Sequence, residues 1–562
     1  QRGAVAAFGP EGFGEAISLS TGSLAFVQTD IDLPGQSALP VSLARRFTVG
    51  TPELSGHFGS FDLALPHLEG TYAGSTGWVV FSANPQARCS QWESPPPVQG
   101  NLDGSFDPNE YWSGVHLVSS SGEEEVLARD AGNPQAPSDG GSYLLTTNSL
   151  WAFSCTPLAN GAGDGFVGVS PSGQRWTFNQ LASRPASVLA KPKGSFVADP
   201  HKSDAPINYL LSRVNVWLLP TKVVDGRGHQ VTFAYDANEP WKLVSISADD
   251  GRSIQLSYIA NPVPGQPPLI QTAKTSDGTG GTRTWTYTYS SGDLAGVTLP
   301  DGSTWSLTLG ALKAASLAYT DADPGDCDDL GTWTTSTAAP KVGSLTHPSG
   351  AIATYTVQAT RFGRSHVTRT CLGTAPRDYP FRPRQFDGFA LIQKQISGPG
   401  LTPLIWTTSY GPPNDSWAPC ANCPSTRTVT ITDPDNATTR YTVGNRASQD
   451  SLANEGQLLQ IDRGWNGNSA LETETRHYRT SASPYPATIG ESFQDRGDSY
   501  MATHWFPLDA RTITRDGVTF TWHADSFDAY ANPTQVTKSS SLGFSKTEVT
   551  TYHTNTAKWI LA

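Results

Sequence analysis

The densest group of side chains able to do chemistry is the acidic run Asp321, Asp323, Asp326, Asp328 and Asp329, whose carboxylate oxygens suit a hard cation such as Ca²⁺. Its spacing lacks the central Gly and terminal Glu of the twelve-residue calcium loop, so a solvated acidic loop is the simpler reading. Cys420-Ala421-Asn422-Cys423, between Pro419 and Pro424, has the two-residue gap of redox and zinc motifs. A redox pair needs a βαβ neighbourhood and zinc needs two further ligands; neither is in view, and a local structural disulfide is expected. The 11 histidines are scattered, with His201, His229, His347 and His366 beside turn or strand signals. The chain holds no His-Glu-x-x-His, no Gly-x-Ser-x-Gly elbow and no phosphate loop, because no Gly-Lys pair occurs in it. Carboxylate pairs for glycoside cleavage are set by the fold, and with 50 acidic residues chance pairs arise without meaning. These residues point to no enzyme and no cofactor.

The charge narrows the partners. A net −12, with 38 Lys and Arg and no basic run, opposes the phosphate neutralisation that nucleic-acid binding requires. No segment approaches the roughly 18 apolar residues of a membrane-spanning helix, and no signal-peptide pattern is present. Gln1 stands where an initiator Met would, as in a processed chain. The even set Cys89, Cys155, Cys327, Cys371, Cys420 and Cys423 suits three disulfides in an oxidising compartment, so a secreted or cell-surface protein is expected. Six cysteines allow 15 pairings and sequence order selects none of them. Our expectation is Cys89 with Cys155, Cys327 with Cys371, and Cys420 with Cys423.

The elements that would carry these residues are strands. Gly 54 and Pro 42 accompany abundant Thr, Ser, Tyr and Trp, and no long stretch shows helical apolar spacing. Asp225-Gly226, Asp250-Gly251, Asp277-Gly278 and Asp301-Gly302 recur at spacings of 25, 27 and 24 residues. Alternating strands follow them, carrying Phe233 and Tyr235, Leu256 and Tyr258, Trp285 and Tyr287, and Trp305. Each unit is predicted as a β-hairpin whose Asp-Gly supplies the positive φ of its turn. Looser copies appear at Ser349-Gly350, Asp435-Asn436 and Asp516-Gly517, so the array reaches almost to the end. Of 16 Trp and 18 Tyr, those at repeat positions are expected in the core, with exposed sugar-stacking rows the competing reading. The spacing predicts an array over 206–562 with room for about 28 strands, a ribbon on the order of 130 Å completing about one broad turn. Residues 1–205, irregular in spacing, are predicted as a β region that starts or caps the ribbon and covers its first edge.

Asp225-Gly226-Arg227-Gly228-His229 through Tyr235-Asp236-Ala237-Asn238 resembles the tyrosine-aspartate repeat of Rhs proteins, toxin-complex shells and teneurins. The opening Ser20-Thr21-Gly22-Ser23-Leu24, Leu33-Pro34-Gly35 and Phe61-Asp62-Leu63-Ala64-Leu65-Pro66 looks like the start of secreted Rhs proteins. The resemblance implies a spiral of hairpins forming a hollow shell around a partner, such as a polymorphic toxin or further repeat polypeptide. No Asp-Pro-x-Gly-Leu self-cleavage signature follows the Asp-Pro pairs at Asp107, Asp199, Asp323 and Asp433, a departure from the self-cutting Rhs core. A ribbon of one broad turn makes a partial shell, whether of a fragment or of a short member. Two other roles stay open: a surface adhesin binding glycans or proteins, and an extracellular polymer built of copies of this chain joined through bare edge strands.

Overall fold

Period-two alternation becomes strand after strand with one face inward. Gln230–Tyr235 buries Val231 and Phe233, and Ile352–Gly363 buries Ala353, Tyr355 and Val357 while the residues between them are exposed or half-buried. The computed structural model describes residues 12–561 except 36, 38, 53–54, 120–121, 131–132, 134, 193–207, 279, 320–330, 373–378 and 495–498. Helices among the described residues are single turns such as Pro108–Tyr111 and Gly310–Lys313. The all-β reading of the sequence agrees with this, as does an open, curled ribbon.

The ribbon begins at Leu127–Arg129 and proceeds through Leu145–Thr146, Ala152–Pro157, Asp164–Val169, Arg175–Pro192 and Asn208–Val224, each antiparallel to the next. The same sheet continues to Ser545–Val549. Many strands exceed the short ones predicted, with Gln385–Gly398 running 14 residues and Asn208–Val224 running 17. The ladder crosses the boundary expected near 205: Arg175–Pro192 pairs with Asn208–Val224 on either side of it.

The ribbon starts within the region 1–205 expected to start it, at Leu127–Arg129, but the first four strands of the chain lie outside the ribbon. Strands β1 (Glu15–Ile17), β2 (Leu24–Asp32), β3 (Ser42–Thr48) and β4 (Asp62–Leu63) form a separate antiparallel sheet in sequence order. β2 and β3 bury alternate residues, Leu24, Phe26, Leu43 and Phe47 among them, each of which adds about 2 kcal/mol of hydrophobic stabilisation. That face lies on the inner face of the ribbon, and one hydrophobic core runs through both sheets. Phe26 meets Tyr355 edge-on at 4.9 Å, Phe58 meets Tyr287 at 4.8 Å and Phe13 meets Trp305 at 6.0 Å. β5 (His67–Ala73) then joins the ribbon itself, pairing along Arg213–Leu218.

The ribbon's first edge is covered from the far end of the chain. Ala128 and Arg129 pair with Glu491 and Gly490, which sit in an excursion between the strands Glu472–Tyr478 and Leu508–Arg515. The Trp559 indole N–H donates to the Leu150 carbonyl at 2.7 Å, and the Leu561 amide donates to the Pro171 carbonyl at 3.0 Å. A second core seals this seam, with Leu127, Tyr143 and Leu150 on one side and Tyr485, Ile489, Trp505 and Trp559 on the other. The ribbon has therefore curled until its end meets its beginning.

The positive φ predicted for the Asp-Gly turns is present at Gly251, Gly278 and Gly302 (88°, 82° and 86°), but not at Gly226. In a recurring five-residue turn the first amide bonds the fifth carbonyl, the fourth amide bonds the first carbonyl, and the fourth residue alone is left-handed. It occurs at 170–174, 225–229, 299–303, 347–351, 433–437 and 540–544 among others, with Pro171, Pro300, Pro348 and Pro434 in second place. Proline presets the φ of a type I turn and the left-handed residue adds the bulge that matches strand twist. At 225–229 the left-handed residue is Gly228, φ 95°, and not Gly226. At 433–437 Asn436 takes the place, φ 64°. Asp516-Gly517 has both residues at positive φ, the pattern expected of a two-residue hairpin loop.

Candidate functional site

The repeated strand ends carry the first functional side chains. Tyr235 donates its hydroxyl to the Pro220 carbonyl at 2.8 Å, Tyr258 to Leu243 at 2.6 Å, Tyr289 to Ile270 at 2.5 Å and Tyr410 to Leu391 at 2.8 Å. Tyr478 and Tyr552 do the same to Leu458 and Pro533. For all but Tyr552, which follows the last strand, the acceptor lies on the preceding strand, so one phenol pins two neighbouring strands, and the rings of Tyr235, Tyr258 and Tyr289 pack against the core. Burial pushes the Tyr235 and Tyr258 hydroxyls well above their ordinary range, which keeps them as donors.

Of the predicted repeat-core residues, Phe233, Leu256, Trp285 and Tyr287 are buried. Tyr235, Tyr258 and Trp305 are half-buried against the same core. Tyr287 was grouped with Tyr235 and Tyr258, but Tyr289 holds the equivalent clasp, and Tyr287 instead donates to Asp30 of the small sheet at 3.1 Å.

Charged pairs fix the small sheet on the ribbon. Glu15 of β1 and Lys394 of the ribbon are 1% and 4% exposed and bonded to each other. Arg45 and Asp30, adjacent across β2 and β3, pair at 2.9 Å beneath Tyr287. The Arg252 guanidinium, held by Asp250 at 2.8 Å, reaches across to the Leu33 carbonyl. Such pairs specify position more than they add stability, because desolvation offsets their attraction. The loop tip before β4 is equally tight: a Cβ on Gly59, φ +69°, would sit 1.8 Å from the Gly292 carbonyl oxygen.

Where β3, β4 and β5 meet the ribbon, polar groups surround a cavity of about 260 Å³. Asp62 accepts from the His57 ring Nδ1 at 2.5 Å, the Leu63 amide at 2.9 Å and Arg184 at 3.2 Å. Burial acts against charge on Asp62, but Arg184 and His57 outweigh it and hold the carboxyl far below its usual range. The Arg184 guanidinium lies between the rings of Trp217 at 5.0 Å and Trp241 at 4.7 Å. The His67 ring faces the Leu65 carbonyl at 2.7 Å and Glu69 at 3.3 Å, and Trp217 donates to Glu69 at 2.9 Å. Burial opposes both charges, yet the pairing raises His67 and lowers Glu69 to about 2. Asp62, Leu63 and Leu65 belong to the 61–66 motif noted in the sequence, but His57, His67, Glu69, Arg184, Trp217 and Trp241 were not singled out there. His57 and Arg184 are 127 positions apart, and no local spacing joins them.

The structure joins Cys89 to Cys155 and Cys420 to Cys423, with Cα–Cα distances of 5.5 and 5.7 Å. Cys371 is also disulfide-bonded, while Cys327, the partner expected for it, lies outside the described residues. The acidic run from Asp321 to Asp329, including Asp323, Asp326 and Asp328, lies outside them too. Among the described residues no group of three or more His, Cys, Asp or Glu is placed to hold a metal, and no helix is long and apolar enough to cross a membrane. Cys89–Cys155 closes a 66-residue separation, for which chain entropy gives about 4 kcal/mol. A Cys89→Ala, Cys155→Ala variant should lose roughly that much in denaturant titration; an unchanged midpoint would show that the bond adds nothing.

No family model matches the sequence, and no curated protein matches it. Among solved structures, the chain is similar to the crystal structure of TcdB2-TccC3, at 8% identity and a TM-score of 0.46, over 95% of this chain and 45% of that one. It is also similar to the crystal structure of TcdB2-TccC3-TEV, at 8% identity and a TM-score of 0.41, over 95% of this chain and 44% of that one. The chain thus spans less than half the length of the structures it matches.

Proposed function

We propose that this chain is a secreted, non-enzymatic scaffold of the tyrosine-aspartate repeat kind, a shell segment that encloses or presents a partner polypeptide such as a toxin. The observation that carries the reading is the single curled ribbon, whose two ends meet at the seam and which is built from hairpins that share a turn and a tyrosine clasp. A sheet that spends its aromatic residues on strand-to-strand clasps and on holding a second sheet inside is organised for rigidity. The disulfides Cys89–Cys155 and Cys420–Cys423 support an oxidising compartment. Burial of Phe233, Trp285 and Tyr287 removes these repeat aromatics from any sugar-stacking row of the adhesin reading.

One feature favours a second reading, growth by added strands. Ser545–Val549 pairs only with Pro533–Ser540 among the described residues, and Phe544 and Val549 beside that open edge are 74% and 75% exposed. The partner in that case is a further hairpin polypeptide or a copy of this chain.

Purification from the native source, with intact mass and low-resolution imaging, separates these readings. A hollow particle holding a second polypeptide is expected; filaments would favour growth through edges, and a lone monomer with no partner would defeat the enclosing role.

A further inference from the structure

The cavity under β3, β4 and β5 takes no part in the scaffold role, and its chemistry is that of a ligand site. Leu63, Leu65, Trp217, Leu219, Tyr235 and Trp241 give it an apolar and aromatic wall, set against a comparable polar and charged wall that includes Arg46, Asp62, Glu69 and Arg184. Both carboxylates in it are already engaged, Asp62 by His57, Leu63 and Arg184, and Glu69 by His67 and Trp217.

The cations are not fully used. Arg46 lines the cavity, and its guanidinium makes no hydrogen bond or ion pair among the described residues. Arg184 keeps a buried Nε with no partner. The ring nitrogens of His57 face the Asp62 carboxylate and the Trp241 carbonyl, and those of His67 face Glu69 and the Leu65 carbonyl. Arg184 also approaches the His57 Nδ1 at 3.4 Å, so Arg46 is the cation of this cavity that has no hydrogen-bonded or ion-paired group among the described residues. The missing partner is an anion.

Size and wall chemistry define its body. A cavity of 150 Å³ lined by apolar side chains holds benzene, so about 260 Å³ lined by three aromatic residues leaves room for a ring bearing a carboxylate. We propose that this cavity binds a small aromatic carboxylate, with its ring against the aromatic wall and its carboxylate on the Arg46 guanidinium. That guanidinium makes no hydrogen bond to the protein among the described residues and otherwise feels the nearby charge of Glu69. Arg46 belongs to the small sheet, and Trp217, Tyr235 and Trp241 to the ribbon or its adjoining turn, so the ligand would bridge the two sheets.

The test is titration calorimetry on the full chain with benzoate, its neutral isostere benzamide, and acetate. Benzoate is expected to bind saturably and at least about tenfold more tightly than benzamide, because a charge-assisted bidentate contact is lost with the charge. Acetate, lacking the ring, should bind more weakly than benzoate. In Arg46→Gln the preference for benzoate over benzamide should vanish. No saturable heat with benzoate, or equal affinity for benzoate and benzamide in the unaltered protein, overturns the proposal without reference to any variant. A folded Arg46→Gln protein that keeps the full preference overturns the role given to Arg46.

Discussion

Lys394→Met should lower stability by roughly 3–5 kcal/mol, one of the largest effects expected of a single substitution here. Lys394 and Glu15 are almost wholly enclosed, so removing the ammonium strands a carboxylate 1% exposed between the small sheet and the ribbon. The measurement is the shift in the denaturant midpoint, read against a double variant in which Glu15→Leu accompanies Lys394→Met. If the pair mainly specifies position, the double variant should return to within about 1 kcal/mol of the parent, because two packed apolar groups replace two desolvated charges. A single variant as stable as the parent would mean that water reaches the site and that the small sheet is not firmly seated.

Trp559→Ala should cost a similar amount, about 3–5 kcal/mol, but in a different place. Trp559 is fully buried in the seam, and its indole N–H is bonded to Leu150. Its loss removes a large side chain from the second core and leaves that carbonyl without its partner. Hydrogen exchange is the appropriate readout. Protection should fall at Leu145–Thr146 and Ala152–Pro157 beside the seam, while Arg252–Ile259 and Ile352–Gly363, held by the first core, keep theirs. Uniform loss of protection along the ribbon would show that seam and first core unfold as one unit.

The strands and their curl were legible from alternation and turn chemistry, since both act within a few residues. The inward positions at Phe233, Leu256 and Trp285 were legible for the same reason: side-chain direction alternates whatever the tertiary fold. The turn was half-read. Asp-Gly drew attention to Gly226, whereas Pro in second place and the left-handed fourth residue, as in His347-Pro348-Ser349-Gly350-Ala351, were the fuller signal. Tyr287 and Tyr289 lie two apart on one strand and look alike in sequence; which one clasps depends on the bulge between Thr288 and Tyr289.

The placement of the first sheet was beyond local reading, because nothing in β2 or β3 says that its inner partner is a strand more than 300 residues later, as Tyr355 is for Phe26. The cavity follows from that docking. His57 and Asp62 stand five apart, but Arg184, Trp217 and Trp241 reach them only through the fold.

The seam has a consequence for the order of events during synthesis. An array of successive hairpins makes contacts between near neighbours and forms as it emerges, each hairpin nucleating on the one before. Leu127–Arg129 breaks that pattern, since Gly490–Glu491, which covers its outer edge, is some 360 residues downstream. Until that segment arrives, the earliest strand of the ribbon carries unpaired amides and an uncovered apolar face, the condition in which strands join the wrong chain. The last closure is also the slowest kind, because its loop entropy is met only after most of the polypeptide is in place. During that interval the ribbon is still open, and under the proposed enclosing role this is when a partner polypeptide would enter.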